Sequence, residues 1–256
     1  MKFARGKYMN LWRELTRAQY RIRDQSTVFG FLWSLLNPLV AVGLLFALFS
    51  TQLRSDIEFY GLYLLIGTVY YTHFSNATSA SVTVLQSMSG LTRDGIFPKD
   101  LLVLASISTH TIDFFISTVL CIVIAAFSGV PITTAILALP LVLVMQVMLV
   151  LWVSLLLSSF FVFVRDLLHI YNVFLRLLFF VTPVFYGASF VGGGFGRYVL
   201  LANPLSHSIT FARTLVLNGQ LFDLRQFTAL FTINGIMLFA SYKIFKRLEP
   251  TFSENV

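Results

Sequence analysis

The chain has 256 residues, of which 57% are hydrophobic and only 11% are charged, with a formal net charge of +7. A soluble domain of this length needs more charge to cover its surface, so the composition excludes one and leaves a polytopic membrane protein. The positive balance does not describe a nucleic-acid binder, because seven of the eighteen Lys/Arg precede residue 24 and no other stretch forms a basic cluster with polar flanks.

Residues 7–23 place Tyr8, Leu11, Trp12, Leu15, Ala18 and Ile22 within an arc of about 120° on a helical wheel, with Arg13, Arg17 and Arg21 opposite. That pattern predicts a helix lying on a membrane, its arginines each gaining about 1 kcal/mol near anionic lipid. The plainer alternative is a basic tail that only fixes orientation. A polar stretch of this length before the first apolar run does not read as a cleaved signal peptide.

Six segments are long enough to span: 30–50, 59–85, 101–127, 132–163, 170–188 and 227–245. An even number puts both termini on one side. The connections on that side collect thirteen Lys/Arg against four (Arg54, Arg197, Arg213, Arg225) on the other, which predicts cytoplasmic termini.

The first span carries Pro38, which removes a helical hydrogen bond and can tilt it. The second is apolar and aromatic at first, then crowded with Ser75, Asn76, Thr78, Ser79, Ser81 and Thr83, a half suited to pack on helices or line a wet path. Phe59, Tyr60, Tyr63, Gly67, Tyr70 and Phe74 share one face, either a packing face or a stacking rail for a sugar chain. The inner loop that follows holds Gly90, Arg93, Asp94, Phe97 and Pro98. It is expected to be a short helix or turn, and it serves either as contact for a cytoplasmic partner or as a solvated turn.

In the third span His110 and Asp113 are three apart on one face and can pair, with Arg176 of the fifth span as a further partner. They read equally as a polar clamp between helices. Arg165 and Asp166 form a tight inner link, in which Asp166 can cap the next helix. Residues 189–226 break at Gly192, Gly193 and Gly194. They then hold two short apolar pieces, 197–201 and 205–217, around Asn203 and Pro204, too short to cross and readable as an outer lid. The single cysteine, Cys121, excludes a disulfide within the chain.

Reactive constellations are missing. There is no H-E-x-x-H, no cysteine cluster, no G-x-S-x-G and no G-x-x-x-x-G-K-[ST], so neither a metal site, an enzyme nor a built-in ATPase is expected. No glycine-rich filter speaks for a channel.

Several stretches, in order, carry a family resemblance. They are Gly-Phe-Leu-Trp-Ser-Leu-Leu-Asn-Pro at 30–38, Ile-Phe-Pro at 96–98, Phe-Val-Arg-Asp at 163–166, Thr-Pro-Val-Phe-Tyr at 182–186, Asn-Pro at 203–204, and Phe-Lys-Arg-Leu-Glu at 245–249. Together with the basic N-terminal helix they resemble the type-2 ABC exporter permeases, above all those of O-antigen, teichoic acid and capsule export. The resemblance implies an all-α membrane protein with a single transmembrane domain over 1–256. An interface helix at 1–29 would precede a six-span bundle at 30–248, with short re-entrant outer gate helices between spans five and six. It implies an inner-membrane homodimer bound to two copies of a separate cytoplasmic ATPase, which holds the ATP and Mg; this chain itself carries no cofactor. The implied cargo is polysaccharide on a polyprenyl diphosphate. Coupling to the ATPase would use Leu11, Trp12, Arg13, Arg17, Arg93, Asp94, Phe97, Pro98, Arg165 and Asp166. The substrate path would use Trp33, Tyr60, Tyr63, Tyr70, Phe74, Phe179 and Tyr186, and the diphosphate Arg13, Arg17, Arg21 and Arg23. The outer gate would use Arg197, Asn203, Pro204 and Arg213. A drug or small-lipid exporter shares this architecture, whereas a proton-coupled carrier would depend on His110, Asp113 and Arg176.

Overall fold

The computed structural model describes residues 5–24, 32–53, 57–94, 97–187 and 195–255, and among these the chain is helix and loop without strand. The order is α1 (Arg5–Asp24), α2 (Leu32–Leu53), α3 (Tyr60–Ser87), the single turn α4 (Ser89–Thr92) and α5 (Asp100–Phe127). A 3-10 turn at Thr134–Ala138 leads into α6 (Leu139–Phe161), followed by α7 (Leu167–Val181), α8 (Phe195–Ala202), α9 (Pro204–Val216) and α10 (Leu224–Leu248). A second such turn, Glu249–Thr251, joins α10 to α11 (Phe252–Asn255).

Three of these stretches are long and apolar enough to cross a membrane by length and composition: Asp100–Phe127, Thr134–Phe161 and Leu224–Asn255. Leu36–Ser50 and α7 are apolar but shorter. The 15 residues of α7 rise only about 22 Å, less than a ~30 Å hydrocarbon core. α3 has the length, 28 residues, and lacks the apolarity because of its polar second half.

That polarity follows from position. α3 is the central helix, packed against α2, α5, α6, α7 and α9. Small residues such as Gly67, Ala77, Thr78 and Ser81 let these neighbours approach closely. Thr78 and Ser81 are fully buried and return their hydroxyls to Phe74 O and Ala77 O at 2.6 Å, so no polar atom of theirs is left over. Side-chain bonds tie the bundle further: Trp152 Nε1 to Asn234 Oδ1 at 2.9 Å joins α6 to α10, Gln146 Nε2 to Tyr70 O at 3.2 Å joins α6 to α3, and Tyr171 OH to Thr78 Oγ1 at 2.6 Å joins α7 to α3. The outward faces are apolar instead, with Val40, Val119, Phe180 and Phe239 each more than half exposed. A surface of this kind belongs against acyl chains or another subunit.

Two elements differ from the sequence pattern. The fifth apolar segment was expected to run helical through residue 188, but α7 ends at Val181, where Thr182 turns extended (φ −80°, ψ 132°). Pro183 is the cause: it disfavours helical geometry in the residue before it and has no N–H to continue the ladder. The N-terminal helix, expected flat on a membrane, lies along α5. Tyr8 donates to Asp100 Oδ2 at 2.5 Å, Trp12 Nε1 to Ser108 Oγ at 3.1 Å, and Arg23 pairs with Asp113 at 2.8 Å. Asp100 and Asp113 are about 20 Å apart along the helix, so α1 follows α5 over several turns. Tyr8, Leu11, Trp12 and Leu15 of its apolar stripe are half-buried while Ala18 and Ile22 stay exposed, and the polar tips of Tyr8 and Trp12 find partners on α5.

Candidate functional site

The non-helical stretch after α7 exposes backbone carbonyls that no helix satisfies. At membrane depth each must be met by protein. Arg213 of α9 is buried and donates through Nη1 to Pro183 O (2.6 Å), through Nη2 to Val184 O (2.7 Å), and through Nε and Nη2 to Tyr63 O (3.2 and 2.8 Å). Its guanidinium lies 3.3 Å from the centroid of the Tyr63 ring. Tyr60 OH donates to Phe185 O and Tyr63 OH to Tyr186 O, both at 2.9 Å. Asn203 caps α9 by accepting from Leu205 N at 3.1 Å and also donates to Thr182 Oγ1 at 2.9 Å. Gly67 makes room for this clamp, since a Cβ there would stand 2.3 Å from Arg213 Nη2 and 2.8 Å from Val184 O.

Below this clamp, α3 and α7 border an open groove of about 510 Å³. Its polar lining is Ser75, Asn76, Ser79, Asn172 and Arg176; its aromatic lining is Tyr71, Phe179 and Phe180. Tyr71 and Phe179 meet edge to face at 5.0 Å, and Phe179 and Phe180 at 5.6 Å. Tyr71 OH is held by donation to Leu175 O. Arg176 is exposed and has no ion pair among the described residues. Flat rings beside hydroxyls, amides and one cation suit a ligand rich in hydroxyl groups that carries negative charge.

At the opposite end, α1, the inner loop and the C-terminal segment meet. Asp100, buried at the start of α5, takes the Tyr8 hydroxyl and pairs with Lys246 Nζ at 3.1 Å. Lys246 also pairs with Glu249 at 2.9 Å. Glu249 Oε1 accepts the Lys99 backbone N–H at 2.9 Å, while Lys99 Nζ donates to Glu249 O (3.0 Å) and Ser253 Oγ (2.6 Å). Phe252 is fully buried beside Phe245, ring centroids 5.3 Å apart, and near Phe163 of the link before α7 at 6.4 Å. Burial lowers the Lys99 ammonium below its ordinary value against the pull of Glu249. Burial and donation to Asp100 push the Tyr8 phenol up.

The residues singled out in the sequence fall in different places. Tyr60, Tyr70, Phe74 and Tyr186 are buried and Tyr63 is half-buried, so the aromatic face of α3 packs inward; Tyr70 stands edge-on to Phe114 at 4.9 Å. Phe179 lines the α3–α7 groove, and Trp33 is exposed on α2. Arg93, Asp94, Arg165 and Asp166 are exposed, Phe97 and Pro98 half-buried. Asp166 stands at the N-cap of α7 without a side-chain capping bond, because its backbone is already helical (φ −68°, ψ −14°). Leu11 and Trp12 turn toward α5, whereas Arg13, Arg17 and Arg21 are exposed. Asp113 is engaged by Arg23 of α1, while Arg176 stands in the groove. Pro204 opens α9, and the side chain of Arg197 lies outside the described ones. Sequence reasoning missed Tyr71, Asn172 and Phe180; the polar second half of α3 marked only the Ser75, Asn76 and Ser79 wall of the same groove. It also missed Asp100, Lys99 and Glu249, for which no local pattern existed.

The family described as ABC-2 type transporter matches residues 10–217. The chain is 25% identical over 255 residues to an O-antigen export system permease protein RfbA of Klebsiella pneumoniae, covering 99% of this chain and 98% of that one. It is 26% identical over 251 residues to a protein of the same name from Myxococcus xanthus, covering 98% and 96%.

Proposed function

Since this chain belongs to the ABC-2 type transporter family, and is therefore a membrane subunit of a transporter, we propose that it is the permease of an ATP-driven polysaccharide exporter. Its cargo is polysaccharide on a polyprenyl diphosphate, moved from the cytoplasmic to the outer face of the cell inner membrane. The observation that carries this reading is the α3–α7 groove, whose rings and hydroxyls suit sugar faces and whose Arg176 suits a diphosphate. The relatives named as O-antigen export permeases support the same substrate class.

In this reading α2, α3, α5, α6, α7 and α10 are the six spans, with both termini cytoplasmic. α8 and α9 form the outer gate, held by the Arg213 clamp. A second copy of the chain meets the apolar outward faces of α2 and α7 and closes the groove into a channel. Stacking suits a moving glycan because it demands little register. Two copies of a cytoplasmic ATPase dock at the inner end, on Arg93, Asp94, Phe97, Pro98, Arg165 and Asp166. Closure of the ATPases moves α1, the inner loop and the C-terminal segment together, since Asp100 and Glu249 bond to all three. The permease breaks no bonds; ATP and Mg act in the partner.

Depleting the protein in its host and fractionating the polyprenyl-linked glycan tests this. Full-length glycan is expected to build up on the cytoplasmic side and vanish from the surface. Unchanged surface glycan would overturn the reading and leave a drug or small-lipid exporter as the function to test.

A further inference from the structure

A second opening lies on the other side of α5 from α3. Here α1, α5 and α6 enclose a recess of about 1260 Å³. One wall is the charged face of α1, where Arg13, Arg17 and Arg21 are spaced four apart and point the same way. The facing wall is apolar: Ile112 and Phe115 of α5 are 40% and 44% exposed, and Val144 of α6 is 50% exposed.

The charges do not balance. Arg17 has Glu14 at 3.5 Å, but Arg13 and Arg21 meet no acidic group among the described residues. Because α1 follows α5 from Asp100 to Asp113, these guanidinium groups stand beside helix surface apolar enough for a bilayer. Water alone would solvate the arginines and leave the facing wall wet. A molecule with a phosphate at one end and alkyl chains at the other satisfies both walls, since guanidinium binds phosphate through paired N–H donors.

We propose that this recess binds one anionic membrane phospholipid, its headgroup phosphate on Arg13, Arg17 and Arg21 and an acyl chain against Ile112, Phe115 and Val144. The site is separate from the transport groove, because α5 packs between α1 and α3. It depends only on the chain residing in a membrane, not on the identity of the exported cargo. A lipid held there fastens α1 to α5, and through Tyr8 it steadies the contact with Asp100.

Titration of the purified full-length chain with phosphatidylglycerol in a phosphatidylcholine background, read by native mass spectrometry, tests the proposal. One saturable phosphatidylglycerol per chain is expected. Arg13→Gln with Arg21→Gln should weaken it about thirtyfold, the two arginine contributions combined. Both side chains are exposed, so this variant keeps the fold, and unchanged helicity by circular dichroism verifies that. Val144→Trp fills the apolar wall without altering charge and should also abolish saturable binding. Unchanged affinity in either variant overturns the site, the second case reducing it to diffuse surface attraction. Displacement by an equal concentration of polyprenyl phosphate would assign the recess to the carrier lipid instead. Cross-linking of Val144 to a second copy of the chain would assign it to an interface.

Discussion

The two ends of the bundle are secured by different chemistry. After α7 the backbone carbonyls of residues 183–186 are held by two tyrosine hydroxyls and one buried arginine, each through directional bonds. At the start of α5 the contacts are charged and shared: Lys246 pairs with both Asp100 and Glu249, and Glu249 also receives Lys99. Loss of the Arg213 bonds strands the carbonyls of Pro183 and Val184, whereas loss of one bond at the start of α5 leaves a charge with a second partner. The end after α7 is thus built to hold one arrangement and the end at the start of α5 to exchange partners, as the proposed gate and coupling roles would require.

The largest effect should come from Arg213→Met, which leaves Pro183 O and Val184 O unmet and is expected to cost about 4 kcal/mol, read as thermal unfolding of the purified protein. Arg213→Lys should recover only part of that, since an ammonium lacks the fork that reaches three carbonyls. Gly67→Ala should cost about 2–3 kcal/mol in the same assay, because the new methyl meets a pinned guanidinium and a backbone oxygen. A melting temperature equal to the parent in either case would break the contrast. Asp100→Asn should cost only about 1 kcal/mol, as Lys246 retains Glu249, while substrate-linked ATP turnover with the partner ATPase should fall sharply. Retained turnover would sharpen the comparison against a coupling role for the inner end. Phe179→Ala should cost about 1–2 kcal/mol, since its half-buried ring meets Tyr71, Phe180 and Phe185, and smallest in stability, within about 0.5 kcal/mol, should be the exposed Arg176→Gln. Glycan export measured in cells should nonetheless slow in both.

Much of the fold was legible in the sequence. The amphipathic N-terminal helix, the long apolar helices α5, α6 and α10, the short inner turn α4, and the two short helices around Asn203 all follow from periodicity, length and the Asn-Pro capping signal. The site was less so. The aromatic face of α3 was visible as a face, but Tyr60 and Tyr63 turn their hydroxyls to carbonyls more than 120 residues away, as their sequence separations of 125 and 123 show. Arg213 looked like an outer charge because its buried acceptors depend on the break at Pro183.

What the sequence by itself determined is a helical membrane protein, its helices and their amphipathic faces, because hydrophobic length and helical period are local properties; its ordered motifs added the resemblance to ABC-2 permeases. What only the tertiary structure decided is which faces meet. α1 lies on α5, tyrosines of α3 satisfy the broken end of α7, and Lys99 joins Glu249 across 150 residues of chain. Those pairings arise from the requirement that every buried backbone and charged group find a partner, and such a requirement is met in space rather than along the chain.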